Sequence, residues 1–217
     1  SAEIAMPNHT EAMKAVVDAL VHADHGCLKS MSEIEAVGHR AVHGGQYFSS
    51  SVILTDEVYD ILDKKCRDLA PLHTPASLQG IQACVDILPG TPQVLVFDTA
   101  FHQTMPEEAY MYGVSYDLYE EYGIRRYGMH GTSHRFVAGE MIKLLGGNAE
   151  GTKIVTCHLG NGSSISAVKD GKCIDTTMGF TPLAGTIMGT RCGDIDPAIF
   201  PSLMEKENIP VDKIADY

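Results

Sequence analysis

Two arginines sit among residues too small to shield them. Arg40 lies in Gly38-His39-Arg40-Ala41-Val42-His43-Gly44-Gly45, and Arg191 in Met188-Gly189-Thr190-Arg191-Cys192-Gly193-Asp194. A guanidinium presents a planar fork of donors that matches carboxylate or phosphate oxygens, so each could grip an anion; the plainer reading of a lone arginine is a surface or ion-paired residue. Asp98 and His102, flanking Thr99-Ala100-Phe101, form a second candidate group, and His130-Gly131-Thr132-Ser133-His134 a third. Either could ligate a metal or contact an anion. Yet a lone carboxylate after a strand often only caps the next turn, and a histidine before a helix is more often a satisfied structural group than a catalyst. Gly160-Asn161-Gly162-Ser163-Ser164 joins two expected strands. Such a turn can bring amides and hydroxyls close to phosphate oxygens, although Asn-Gly is also the ordinary chemistry of a hairpin.

Elements that could hold these residues follow from hydrophobic spacing. Met13, Val16, Val17, Leu20 and Val21 predict an amphipathic helix over 10–25 whose stripe joins the core, with Gly26 as its stop. Strands are expected over 36–43 and 51–54, then a helix capped by Thr55 with Val58, Ile61, Leu62, Cys66 and Leu69 inward, broken at Ala70-Pro71. A further helix should open at Thr74-Pro75, threonine capping and proline at the first position, which puts His73 just before its N-terminus. Residues 93–97 read as a buried strand delivering Asp98 at its carboxyl end, the place where open α/β sheets bind ligands. Phe136, Val137, Met141, Leu144 and Leu145 predict a helix over 133–145. A meander over 153–159, 163–169 and 172–177 follows, turning at Gly160-Asn161-Gly162 and Asp170-Gly171. The change from helix–strand alternation to hairpins predicts a second domain from about residue 150.

Bulk properties narrow the function classes. With 217 residues and 44% hydrophobic content the chain can bury a core, and a formal charge of −12 argues against general nucleic-acid binding. An anionic substrate must therefore be held by local positive groups. Apolar runs such as Val94 to Phe97 are far too short for a membrane span and no signal-like leader opens the sequence, so a soluble, cytoplasmic protein is expected. Six cysteines without a Cys-x-x-Cys pair predict reduced, mostly buried thiols. Ten histidines, with His22/His25 and His130/His134 at spacings that could share a helical face, keep a metal-dependent hydrolase built on Asp98, His130 and His134 as a second class, and a non-catalytic binding unit as a third.

Taken in order, these segments resemble the acetate kinase family over nearly the whole length from Val37 to Ile199. The resembling stretches are Gly38 to Gly45, Ala70-Pro71-Leu72-His73-Thr74-Pro75, Phe97-Asp98-Thr99-Ala100-Phe101-His102, Arg125 to His134, Cys157 to Ser164, and Asp175 to Asp196. The resemblance implies an α/β protein of the actin-like ATPase superfold shared by acetate and sugar kinases, Hsp70 and actin. That fold has two ribonuclease H-like domains, both incomplete here: residues 1–149 would be the remainder of the first, on the carboxylate and phosphoryl side, and 150–217 the start of a nucleotide-binding second. It further implies acetate + ATP ⇌ acetyl phosphate + ADP with Mg2+, in a homodimer with no nucleic-acid or membrane partner. Propionate-preferring and pyrophosphate-linked variants remain alternatives.

By the family's pattern, Arg40 and Arg191 contact the carboxylate and the transferring phosphoryl group, His130 steadies its oxygens, and His73 and Asp98 complete the active site. His158, Gly160, Asn161 and Gly162 approach the nucleotide phosphates, and Val42, Leu72, Met129 and Pro182 surround the acyl methyl group. The family's His-Asn-Pro-x-Asn reads His73-Thr74-Pro75-Ala76-Ser77 here, Cys192 replaces a serine, Ala184 a glutamate, and Met129 a phenylalanine of the acyl pocket. The opening Asn-Ala-Gly-Ser-Ser-Ser motif and the later nucleotide-base and magnesium-glutamate segments are absent, so the sequence is expected to be a central portion of such a kinase, inactive by itself.

Overall fold

The computed structural model describes residues 8–71 and 73–216, and two three-stranded sheets carry its fold. The first contains β1 (Val37–Val42), β2 (Val52–Ile53) and β3 (Gln93–Phe97) in the order β1-β3-β2, with β1 parallel and β2 antiparallel to β3. Leu95 and Phe97 of β3 are buried with Ala41, Phe48, Leu62, Cys66, Leu78 and Ile81, and the rings of Phe48 and Phe97 stack 4.7 Å apart. Because β1 and β3 run parallel, their carboxyl ends lie side by side. The register shifts between Arg40 and Val42, and Val42 takes φ 64°, an uncommon conformation for a β-branched residue.

Helix α2 (Asp56–Ile61) begins as expected, with Thr55 Oγ1 accepting from the Val58 amide at 3.2 Å, but continues as a π-helical turn over Leu62–Cys66 that the spacing did not announce. Helix α3 (Thr74–Ile87) corrects the expected cap. Thr74 lies inside the first turn and its hydroxyl donates to the Cys66 carbonyl at 3.3 Å, while His73 holds the cap position without a capping side chain. Helix α1 (His9–Leu20) ends five residues before the predicted limit; beyond it the rings of His22 and His25 stack at 3.7 Å. Its stripe is not core, since no residue of α1 is fully buried and Val16 is 50% exposed. The tyrosine-rich stretch, given no structure above, holds α4 (Glu107–Tyr110) and α5 (Tyr116–Tyr122), and Tyr127 after them is fully buried.

The second sheet is the predicted meander, β4 (Lys153–Leu159), β5 (Ser163–Lys169) and β6 (Lys172–Thr176), all antiparallel. Asp170 and Gly171 have φ 51° and 76°, both positive as the tight hairpin turn requires. Helix α6 (Gly131–Leu144) packs on β4, and α7 (Ile199–Glu207) lies near the end of the described chain. Helix α6 is where spacing predicted one, but its buried residues are Gly131, His134 and Ala138, whereas Phe136, Val137, Met141, Leu144 and Leu145 are 42–84% exposed. The sheet meets His134 with the buried hydroxyls of Thr156 and Ser164, while those of Ser166 and Thr176 bond each other. No helix among the described residues is long and apolar enough to cross a membrane.

Candidate active site

The parallel ends of β1 and β3 bring Arg40 and Asp98 into contact. Arg40 Nε and Nη2 donate to the two carboxylate oxygens of Asp98 at 3.0 and 2.6 Å, a bidentate pair that raises the guanidinium pKa chiefly through this hydrogen bonding, against the opposing pull of burial. The Asp98 side chain is 3% exposed and that of Arg40 67%, so the acid is fixed in the protein and the base faces outward. Asp98 is tied by its backbone too: its amide donates to the Val42 carbonyl at 2.8 Å, and its carbonyl accepts from the Gly131 amide at 2.8 Å. A side chain at Gly131 would collide with that carbonyl, which locks the start of α6 against the end of β3.

His130 occupies the residue before α6 with φ 60°, a left-handed conformation for a non-glycine residue. Its ring stacks on His158 at 4.0 Å, and its Nδ1 lies 2.9 Å from Ser164 Oγ. Burial pushes the His130 imidazole down to about 4, His158 adds to this, Asp98 opposes it, and Arg40 and Arg191 lower it further. At pH 7 the ring is therefore neutral. His158 is held in turn by Ser133 Oγ at 2.9 Å. One turn further along α6, His134 is 1% exposed and has both nitrogens engaged, Nδ1 with Thr156 Oγ1 and Nε2 with Ser164 Oγ, each at 2.7 Å.

Arg191 reaches the same place from the loop after β6. Its Nη1 donates to the Pro182 carbonyl at 2.8 Å, and a Cβ at Gly162 would lie 2.6 Å from its Nη2. The guanidinium thus lies against the β4–β5 turn because residue 162 has no side chain. The turn is joined to the later loop by the Gly189 amide donating to the Asn161 carbonyl at 3.1 Å and by the Ser163–Thr186 hydroxyl pair at 2.8 Å.

One cavity of about 370 Å³ gathers eight of the predicted residues: Arg40, Val42, His73, Asp98, Met129, His130, Pro182 and Arg191. Leu69, Ala70, Pro71 and Thr181 also line it and were not anticipated. His158, Gly160, Asn161 and Gly162 are not among its lining residues; His158 backs His130, and Gly162 backs Arg191. Leu72 lies outside the described residues. Met129, 5% exposed, packs with Met178 and Met188 in a small cluster at the cavity wall. The metal-hydrolase alternative finds no support in this arrangement: both nitrogens of His134 are occupied by hydroxyls, and no group of three or more His, Cys, Asp or Glu among the described residues could hold a metal ion. Sequence reading took Ser164 only as part of a possible phosphate-side turn, whereas its hydroxyl is engaged by His130 and His134. Its signal was the run of serine and threonine at 156, 164, 166 and 176 on strands that ought to bury apolar groups.

Comparison with known proteins follows the same outline. A family model described as "Acetokinase family" matches residues 1–217. Curated acetate kinases of Desulfitobacterium hafniense and Clostridioides difficile are 57% and 58% identical over 212 and 207 residues, covering 98% and 95% of this chain but 53% and 52% of their own lengths. Among solved structures, Porphyromonas gingivalis acetate kinase superposes with a TM-score of 0.93 at 49% identity, covering 99% of this chain and 53% of that one. A propionate kinase from Francisella tularensis subsp. tularensis gives 0.86 at 45% identity, covering 95% and 52%. The chain thus spans about half the length of the relatives it matches.

Proposed function

The chain belongs to the acetokinase family and has the mixed α/β fold of the acetate and sugar kinases, and from that premise we propose that the protein containing it transfers a phosphoryl group reversibly between ATP and acetate by direct in-line displacement. The observation that carries this reading is the convergence of Arg40, Arg191 and a neutral His130 on one cavity with an apolar wall of Val42, Met129 and Pro182. Phosphoryl transfer depends on alignment and on spreading charge from the equatorial oxygens onto fixed donors. Two guanidiniums and an imidazole N–H supply such donors. Acetate is already ionised at pH 7, its carboxyl pKa being about 4 to 5, so the site needs no base to activate it. Asp98 aims Arg40, and the apolar wall takes the methyl group. His73, at the rim, and the 160–162 turn with His158 behind it are assigned to the phosphate side of the ligand.

The reading brings with it ATP/ADP and Mg2+ as cofactors, a homodimer, and a cytoplasmic location. The residues present do not make a Mg2+ site by themselves. Asp98 is the one carboxylate among the residues lining the cavity, and both its oxygens accept from Arg40, whereas Mg2+ asks for oxygen ligands in octahedral array. The domain division expected near residue 150 is retained as part of the proposal.

Two features support a second reading: Met129 at the cavity wall and the likeness to a propionate kinase favour a pocket that also accepts one more methylene. The test of the main reading is trapping of acetyl phosphate by hydroxylamine in the whole protein supplied with ATP, Mg2+ and acetate. Hydroxamate formation that depends on all three is the expected result. Its absence in a folded, nucleotide-binding protein would overturn the assignment.

A further inference from the structure

Ser164 has one hydroxyl proton and two imidazoles competing for it, His130 Nδ1 at 2.9 Å and His134 Nε2 at 2.7 Å. Both rings are driven to about 4, chiefly by burial, so each carries a single N–H at pH 7. Both rings donating to Ser164 would leave its buried hydroxyl proton without an acceptor, which leaves two ways to protonate the chain Thr156–His134–Ser164–His130 with that proton bonded. In the first, Thr156 donates to His134 Nδ1, His134 Nε2–H donates to Ser164, and Ser164 donates to His130 Nδ1, leaving the proton of His130 on Nε2. In the second, every donor reverses: His130 Nδ1–H donates to Ser164, Ser164 to His134 Nε2, and His134 Nδ1–H to Thr156. His130 Nε2 is then a bare acceptor.

The far end of the chain decides between them. In the reversed order the Thr156 hydroxyl proton has only the Ser166 carbonyl, at 3.5 Å, the outer limit of a hydrogen bond, and Thr156 is 2% exposed. In the forward order the same proton goes to a ring nitrogen at 2.7 Å, and each O–H and N–H inside the chain meets a close acceptor, leaving only the His130 Nε2–H at its end without one. His130 Nε2 has no hydrogen-bond partner among the described residues, and its ring lines the cavity. We propose that Ser164 and His134 are positioning residues that hold His130 in the Nε2–H tautomer, so that the cavity is presented with a neutral donor for an anionic oxygen. A bare nitrogen at that place would repel the same oxygen. The inference deepens the proposed phosphoryl transfer and rests on it for its purpose, but the tautomer itself is a property of this chain.

Long-range 1H–15N correlation spectra of the histidine-labelled chain at pH 7 read the tautomer directly, because protonated and bare ring nitrogens resonate far apart. The expected result is a His130 with Nε2 protonated and Nδ1 bare; a proton on Nδ1 would overturn the proposal. Ser164→Ala should leave the His130 nitrogens averaging between the two forms, and Ser164→Thr, which keeps the hydroxyl, should restore the single form. An unchanged tautomer in Ser164→Ala would show that Ser164 does not set it. In the whole protein, Ser164→Ala should lower kcat about tenfold with the KM for acetate within about twofold, and Ser164→Thr should recover most of the loss. Equal kcat in all three proteins would remove the functional part of the claim. The correct tautomer in a protein that transfers no phosphoryl group would count against the proposed activity and leave the relay standing.

Discussion

Arg40 gives two of its donors to Asp98, at 3.0 and 2.6 Å, while its side chain stays 67% exposed and lines the cavity. The guanidinium is thus aimed by one anion and free to receive another. In the whole protein Arg40→Ala should lower turnover by at least about a hundredfold, the scale of losing one transition-state charge contact. Arg40→Lys should recover only part of it, since an ammonium cannot hold Asp98 with two parallel bonds. Asp98→Asn, which can accept from only one of the two donors, should lower turnover by about tenfold or more with the fold intact. Turnover assays with a circular dichroism control check all three, and full activity in Asp98→Asn would show that the pair does not orient Arg40.

Gly162 is predicted to matter through Arg191. A methyl group there would lie 2.6 Å from Nη2, so Gly162→Ala must displace the guanidinium from its place at the cavity. Turnover should fall about tenfold or more, with the thermal midpoint little changed because residue 162 lies in a turn. Arg191→Ala should remove about a hundredfold, and the double variant should be no worse than Arg191→Ala alone. Additive losses would place the effect of residue 162 elsewhere.

Acyl preference should follow Met129. Its unbranched side chain packs with Met178 and Met188 and can yield to one more methylene more easily than a phenyl ring could. A buried methylene is worth about 0.8 kcal/mol, and apolar pockets separate such substrates by roughly 1 to 3 kcal/mol, so propionate should be a good substrate beside acetate. Met129→Phe should shift the ratio of kcat/KM values toward acetate by about tenfold. An unchanged ratio would mean that residue 129 does not touch the acyl chain.

Acid should unfold the chain in a window set by its buried histidines. His43, His102 and His134 are all held down near 4, each chiefly by burial, against an ordinary value of 6.5. Between those values the unfolded chain binds protons that the folded chain does not, so stability is full above about 6.5 and is lost as pH falls toward 4. The urea midpoint should therefore drop between pH 6.5 and 5, before most carboxylates titrate, and a flat profile there would contradict the assignment. Replacing His134 with glutamine should shallow the slope.

Local chemistry made the strand ends, the Thr55 cap and the Asp170-Gly171 turn legible, because each depends on residues within a few positions of one another. It also placed Asp98 at the end of a strand. Spacing gave the helix α6 but not its buried face, since the five apolar residues that announced it are exposed. The buried residues there are Gly131, set against the Asp98 carbonyl, His134, met by the Thr156 and Ser164 hydroxyls, and Ala138. The Thr74 assignment failed for a similar reason, since a tertiary acceptor, the Cys66 carbonyl, took the hydroxyl that local rules gave to the helix. The tie of Ser164 to His130 and His134 was invisible, because no linear spacing announces two histidines at hydrogen-bond distance from one hydroxyl.

The exposed row on α6 has a colloidal consequence. Phe136, Leu144 and Leu145, together with Val155 and Leu159 on β4, make short-range adhesive surface, while the net charge of −12 makes a longer-ranged repulsion between molecules. Salt weakens only the second: the screening length is about 10 Å at 0.1 M and about 3 Å at 1 M. Solutions of this chain should therefore stay dispersed at low ionic strength and cluster as salt is added, the reverse of ordinary salting-in.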